Sequence, residues 1–198
     1  MEEELYREIK RRKGDFTKLF FAIVTILTSI IIMVLFKDDF LYYFSNKKPV
    51  NLGEVGIKLN KELMKENSFV EITGVPWTTR AISYEKRFSL FGGKGRYSIF
   101  PLVGAPNIFI RYFREEGGRE DILPGYFAGR LVKFGKIRGF STIRQFYLAN
   151  LGVLITKDSW IIFDGDTPQS YLGYVILYII LSIFVLINLF FIVKKVLF

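Results

Sequence analysis

Two absences limit the chemistry that this chain can perform. Its 198 residues include no histidine and no cysteine. Ser-His-Asp and Cys-His nucleophile pairs are therefore excluded, as are zinc sites built from His or Cys and haem ligated by either residue. The lack of cysteine also excludes a disulfide framework, so cysteine usage does not indicate the redox compartment.

Carboxylates are the remaining groups suited to acid–base catalysis. The candidates are Glu71, Glu85, Asp164 and Asp166. A glycosidase-like mechanism needs two carboxylates that flank one bond, and nothing in the sequence pairs these four. We therefore predict that the chain is not an enzyme and that it has no catalytic residues and no cofactor.

Two short motifs resemble ion or phosphate sites without completing them. The run DGDTP at residues 164–168 resembles the start of a calcium loop, but it lacks the later acidic positions and the bidentate Glu. The run FGGKGR at residues 91–96 is glycine-rich and basic, but it does not match GxxxxGK[ST] and joins two strands. We interpret the first as a turn and the second as a hairpin loop, and we predict no metal site.

Two uncharged apolar stretches flank the middle region of the chain and are expected to anchor it. Residues 172–193 (LGYVILYIILSIFVLINLFFIV) would span about 33 Å as a helix, slightly more than the hydrocarbon core of a bilayer. Residues 19–36 (LFFAIVTILTSIIIMVLF) run directly into Lys37 without a small-residue cleavage site, which favours a retained anchor over a signal peptide. The chain is too short to bury either stretch, so we predict two transmembrane helices.

The charged flanks of these stretches predict their orientation. Residues 1–18 form a basic juxtamembrane segment and residues 194–198 a basic tail, whereas acidic residues precede the second span. The positive-inside rule then places both termini in the cytoplasm. Residues 37–171 would form an extracytoplasmic domain, which is periplasmic in a Gram-negative bacterium. We therefore predict a two-pass protein of the inner (cytoplasmic) membrane.

Small polar residues within the spans predict where the two helices pack. Thr25, Thr28 and Ser29 share roughly one face of the first span, and Ser182 and Asn188 lie in the second. Side chains of this kind form hydrogen bonds between membrane helices, each contributing about 1 kcal/mol. For Asn188, which is polar but uncharged, we predict helix packing rather than transport.

A basic and aromatic stretch lies late in the middle region. Its basic residues are interleaved with Phe134, Phe140, Phe146 and Tyr147, and they are Lys133, Lys136, Arg138 and Arg144. Nucleic-acid grooves often have this pattern, but little nucleic acid is present outside a membrane, so we predict no nucleic-acid partner. An anionic headgroup or an acidic partner is a better electrostatic counterpart than nucleic acid. We favour a third interpretation over both, a solvated basic face with its aromatic residues in the core.

The middle region is predicted to fold as a mainly β domain. Apolar alternation bounded by Gly and Pro predicts short strands at residues 69–73, 81–90, 96–103, 107–113, 125–134, 153–156 and 160–163. The turn Gly104-Ala105-Pro106 between two of these strands predicts a hairpin. A short helix is predicted over residues 57–66. A second is predicted over residues 141–151, with Ser141 as its N-cap and Gly152 as its C-terminal stop. The predicted fold is a small antiparallel OB-like barrel or sandwich with one or two short helices, flanked by the two transmembrane helices.

Four strand motifs follow one another in this domain: VEITG at residues 70–74, GRYSIFPL at 95–102, IFIR at 108–111 and GRLV at 129–132. With the order of span, strand-rich domain and span, they resemble the surfeit-locus family of cytochrome oxidase assembly factors. The resemblance implies a role in assembling a respiratory complex. The family's His near the entrance of its second span has no counterpart here, so no haem-handling residue is implied.

These observations lead us to expect a non-catalytic accessory or assembly subunit of an inner-membrane complex, such as a respiratory one. Its expected partners are a larger integral membrane protein complex and membrane lipids. The alternative is a stand-alone OB-like module, tethered to the membrane, that binds a lipid, a glycan or a protein.

Overall fold

A computed structural model describes residues 2–87, 94–114, 125–137 and 139–197. The chain divides into a helical unit, residues 1–43 and 171–198, and a β domain, residues 44–170. The helices are α1 (Glu2–Leu35), α2 (Lys37–Tyr43), α3 (Phe140–Leu151) and α4 (Leu172–Leu197). The strands are β1 (Val50–Glu54), β2 (Lys58–Leu59), β3 (Ser68–Thr73), β4 (Ile82–Arg87), β5 (Lys94–Leu102), β6 (Ala105–Arg114), β7 (Tyr126–Lys133) and β8 (Trp160–Asp164).

The helical unit contains the two predicted spans. The helical stretches Phe16–Leu35 and Pro168–Lys194, of which the second begins just before this unit, are long and apolar enough to cross a membrane. Helices α1 and α4 pack along each other, with Phe36 against Tyr174 and with the Tyr178 hydroxyl donating to the Met33 carbonyl. Because later residues of α4 meet earlier residues of α1, the two helices are antiparallel.

The β domain is built on one eight-stranded sheet with the strand order β2-β1-β3-β7-β8-β6-β5-β4. Most neighbouring strands are antiparallel, but β1 and β3 are parallel, as are β6 and β8. The mainly β prediction is therefore confirmed, whereas a wholly antiparallel arrangement is wrong. The described strands do not close into a barrel, since β2 and β4 lie at the two ends of the order.

Alternate residues of the strands place one hydrophobic cluster on each face of the sheet. On β6, Ile108 and Ile110 belong to the first cluster, whereas Phe109 belongs to the second. The second cluster includes Tyr147 of α3, so that helix covers part of its face. The curl of the sheet itself helps to enclose the first cluster.

Backbone hydrogen bonds produce this curl. The segment that follows β3 returns to the end of β5, where the Trp77 N–H donates to the Pro101 carbonyl at 2.9 Å. The Val103 N–H likewise donates to the Val75 carbonyl at 2.9 Å. These bonds bring strands from distant positions in the order together around the first cluster.

The local predictions have mixed outcomes. The helix over residues 141–151 is confirmed, and Gly152 ends it in the left-handed region at φ 61°. It begins at Phe140 after Gly139, which makes no side-chain cap, so the prediction of Ser141 as N-cap is wrong. The helix predicted over residues 57–66 is also wrong, because β2 and a 3₁₀ turn, Lys61–Leu63, occupy that segment. Residues 153–156 form no strand.

The turn between β5 and β6 agrees with its prediction. Gly104 has φ +84°, a conformation that other residues adopt only with strain. Strands β5 and β6 pair antiparallel on either side of this turn, as expected of a hairpin. The loop that was predicted around residues 91–96 lies outside the described residues up to Gly93, and Lys94 already belongs to β5.

Candidate functional site

Two arginines and a phenylalanine form a row across the centre of the sheet. In the register of the strands, Arg111 on β6 lies opposite Phe163 on β8. Phe163 in turn lies opposite Arg130 on β7. Directly opposed residues point to the same face, and Phe163 packs against the second hydrophobic cluster. Two cationic side chains are therefore held on one partly apolar face.

Arg111 is fixed by stacking. Its guanidinium carbon lies 3.6 Å from the centroid of the Phe163 ring and 5.2 Å from that of Tyr97. One Nη contacts a carboxylate oxygen of Asp166 at 3.3 Å, and the Arg111 side chain keeps 21% exposure. Its Nε is buried and has no hydrogen-bond partner among the described residues. The two rings and the Asp166 carboxylate therefore fix the position of the Arg111 guanidinium.

Arg130 is held more deeply, with only 6% of its surface exposed. Its Nε donates to the Asn67 side-chain oxygen at 2.7 Å. Asn67 itself lies in the left-handed region at φ 62°, and its N–H donates to the Leu131 carbonyl at 2.8 Å. Asparagine is one of the few residues that tolerates this backbone conformation. The turn before β3 thus positions the acceptor for the Arg130 guanidinium.

Aromatic rings extend the row towards the edge of the sheet. Tyr97 stacks on Tyr84 at 5.6 Å between centroids and meets the Phe113 ring edge-on at 5.3 Å. Burial raises the pKa of Tyr84, and the charge of Arg111 and a hydrogen bond from its side chain to the Tyr84 hydroxyl partly offset this rise.

Each of the four candidate catalytic carboxylates has a partner within the fold. Glu71 accepts from the Tyr126 hydroxyl at 2.8 Å, and Glu85 pairs with Arg96 at 3.2 Å. Asp164 accepts from the Ala128 N–H at 3.0 Å, and Asp166 contacts Arg111. These contacts give all four carboxylates roles in the fold.

In the motif at residues 164–168 that resembles a calcium loop, Asp164 contacts Ala128 and Asp166 contacts Arg111. Burial raises the pKa of Asp164, the charge of Asp166 raises it further, and the Ala128 hydrogen bond opposes both effects. Among the described residues, no group of three His, Cys, Asp or Glu side chains could hold a metal ion. Gly165, at φ +80°, instead allows a turn between the two aspartates.

The basic and aromatic candidates are divided between ion pairs, core and surface. Lys133 Nζ lies 4.0 Å above the Trp160 ring and 3.6 Å from an Asp158 carboxylate oxygen, while Lys136 pairs with Glu66 at 3.0 Å. Arg144 is exposed on α3, and Arg138 lies outside the described residues. Of the interleaved aromatics, Phe134 and Tyr147 are fully buried and Phe146 is 47% exposed. A role for these residues in binding stays a prediction.

The helix-packing candidates occupy different environments. Ser29 is buried, Thr25 and Ser182 are half-buried, and Thr28 is exposed. The Thr25 hydroxyl and the half-buried Asn188 amide each donate to a carbonyl one turn earlier in their own helix, at 2.8 Å. The antiparallel pairing of α1 and α4 places Ser29 at about the level of Ser182. Hydrogen bonds between the helices stay a prediction.

Arg111 and Arg130 were not selected from the sequence as site residues. A detectable pattern was present, because Phe109, Arg111 and Phe113 alternate on one face of an otherwise apolar and aromatic strand. A charge in that position predicts a half-buried cation that needs partners. Comparison of the chain with protein-family models, with curated proteins and with solved structures gives no match.

Proposed function

We propose that this chain is a two-pass protein of the inner membrane and acts as a non-catalytic accessory or assembly subunit of a larger integral membrane complex, such as a respiratory one. Both termini are cytoplasmic in this proposal, and the β domain is periplasmic. The Lys and Arg residues that precede the first apolar stretch and follow the second support this orientation.

The uncovered surface of the two long helices carries the proposal. Only 11% of the apolar stretch in α1 and 6% of that in α4 is buried, although the helices pack on each other. In a bilayer, lipid tails compete equally well for apolar contact, so helices associate through close fit and polar contacts. Broad faces of both helices remain available to a neighbouring membrane protein.

Lipid is the second proposed partner of the helices. An apolar groove along the helical unit is lined by Ile30, Met33, Val34, Lys37 and Tyr178. The aliphatic residues suit an acyl chain, and Lys37, just after the apolar stretch of α1, suits a lipid phosphate at the membrane surface. The groove therefore supports a lipid contact at this end of α1.

The alternative is a stand-alone OB-like module that binds a ligand from its tethered position. The return of the chain after β3 to the end of β5 favours this alternative, because it curls the sheet around an apolar centre. Small curled sheets of this kind present binding surfaces on their strands and loops. In that case the helices would be anchors alone.

Exchange of the anchors separates the two functions. Residues 19–36 and 172–193 would be replaced with unrelated spans of equal length and the same topology. If the chain is an accessory subunit, we expect it to leave its complex during purification in mild detergent while the β domain stays folded. A variant in which only residues 194–198 are replaced is the control, and it should co-purify like the natural protein.

The opposite result would favour the tethered module. If co-purification and the activity of the complex survive the exchange in full, the helices do not bind the partner. The accessory-subunit proposal then loses its main support. Folding of the β domain can be followed in both variants by tryptophan fluorescence, because Trp77 and Trp160 are the two tryptophans of the chain and both lie in that domain.

A further inference from the structure

We propose that the apolar groove along the helical unit selects a zwitterionic phospholipid with a primary ammonium group, phosphatidylethanolamine, over other phospholipids. One acyl chain would lie on the apolar part of the groove, and the headgroup would meet the charged residues at its end. This selectivity rests on the proposed membrane role, because a lipid reaches the groove only if α1 and α4 lie in a bilayer. It adds a choice between headgroups to the lipid contact proposed above.

Four of the residues that line the groove lie on one side of the first span. Ile30, Met33, Val34 and Lys37 follow the spacing i, i+3, i+4, i+7, which places residues on one helix face. Ile30 is 46% and Val34 67% exposed, and Lys37 is exposed as well. An acyl chain on this face therefore has open apolar contacts that lead to a charged residue at the end of the span.

Tyr178 of α4 lines the same groove and fixes the junction between α1 and α2. Its hydroxyl donates to the Met33 carbonyl, and its ring stacks on Phe40 with 4.1 Å between centroids. Across the junction, the Phe36 N–H donates to the Ile32 carbonyl at 3.1 Å and the Phe40 N–H to the Phe36 carbonyl at 3.0 Å. Helical spacing therefore continues from the apolar part of the groove to its charged end.

Three consecutive charged residues lie at this end. Lys37 lines the groove and is exposed, Asp38 is exposed, and Asp39 is half-buried. The charges of both aspartates act on the Tyr178 hydroxyl, so both carboxylates lie near the groove. The end of the groove thus has one cation and two carboxylates, and its net charge is negative.

A headgroup with a phosphate and a primary ammonium complements these charges. The Lys37 ammonium suits the phosphate, and the carboxylates of Asp38 and Asp39 accept hydrogen bonds from the lipid ammonium, which has three N–H donors. Phosphatidylglycerol has a phosphate but no cation, so the two carboxylates repel it. Phosphatidylcholine has a cation without an N–H donor. Of the three lipids, only phosphatidylethanolamine therefore makes both kinds of contact.

The test is native mass spectrometry of the full-length protein in mild detergent, titrated with each of the three lipids carrying the same acyl chains. Phosphatidylethanolamine should bind about threefold to fivefold more tightly than the other two. Asp38→Asn combined with Asp39→Asn should abolish this preference and strengthen the binding of phosphatidylglycerol. Lys37→Gln should weaken the binding of all three lipids, since each has a phosphate.

Two further variants separate headgroup, acyl chain and net charge. Glu62→Gln combined with Asp158→Asn is the matched control, because it removes the same charge from exposed positions in the β domain. It should leave the order of the three affinities unchanged. Val34→Trp places a larger side chain in the groove at an exposed position, and it should weaken the binding of all three lipids.

The proposal is overturned if the three lipids bind alike, if the double aspartate variant keeps the preference, or if Val34→Trp binds all three as the natural protein does. Extraction of membranes with alkaline carbonate shows whether the membrane role fails too. A chain that stays in the membrane pellet but binds the lipids alike loses only the headgroup selectivity. A chain released by carbonate loses both.

Discussion

Replacing Phe109 with alanine is expected to lower the free energy of unfolding of the β domain by about 3–5 kcal/mol, as usual for a large aromatic residue removed from a core. Phe109 is fully buried, and its ring meets Phe134 at 4.9 Å and Tyr147 at 5.5 Å between centroids. These contacts join β6 to the segment after β7 and to α3. The cavity would therefore open where the sheet and α3 are packed together.

Urea unfolding of the full-length protein in mild detergent, followed by tryptophan fluorescence, measures this loss. Phe113→Ala is the matched control, because Phe113 lies on the same strand and face but is 45% exposed. It should cost about 1 kcal/mol or less. Equal losses in the two variants would mean that the second hydrophobic cluster does not stabilise the domain as described.

Gly129→Ala is expected to lower the free energy of unfolding by about 3 kcal/mol, which is at the upper end of the range for overpacking. A Cβ built at this position would lie 1.9 Å from the Phe163 carbonyl oxygen and 2.6 Å from its carbon. Both atoms are backbone of the neighbouring strand β8, so no side chain can move to relieve the clash. Strands β7 and β8 would have to separate, which would also displace Phe163 and Arg130.

Gly125→Ala is the control for this substitution. Among the described residues, a Cβ at Gly125 would meet only the Gly74 carbonyl oxygen at 3.8 Å, which is an ordinary contact. We expect its unfolding midpoint to lie near that of the natural protein, with Gly129→Ala well below it. If Gly129→Ala unfolds at the same urea concentration as Gly125→Ala, β7 and β8 do not approach each other as closely as described.

The elements that could be predicted from sequence are those with local patterns. The residues of β3 alternate and the strand stops before Gly74, whereas α3 has helical period and Gly152 caps its C-terminus. The turn at Gly104 was recognisable because Gly and Pro mark turns. The helix prediction over residues 57–66 was wrong because the loosely spaced apolar residues there suit a helix, whereas pairing with β1 makes Lys58–Leu59 a strand.

The strand order and the arginine row depend on contacts between distant residues. Nothing local in the sequence indicates that β6 lies parallel to β8, and the Arg111–Asp166 pair joins residues 55 positions apart. Arg130 likewise depends on Asn67, which is 63 positions away. Composition excluded histidine and cysteine chemistry, but only the folded arrangement showed which groups contact the four candidate carboxylates. The same arrangement places Arg111, Phe163 and Arg130 side by side on neighbouring strands.

We propose a two-pass membrane protein whose β domain lies on the side of the membrane opposite both termini. Because the natural chain has no cysteine, single cysteines can be introduced without background labelling. In intact spheroplasts, an impermeant thiol reagent should label Lys58→Cys, in the β domain, and should label Glu4→Cys only after lysis. Labelling of Glu4→Cys before lysis, with Lys58→Cys labelled only afterwards, would contradict the proposed orientation.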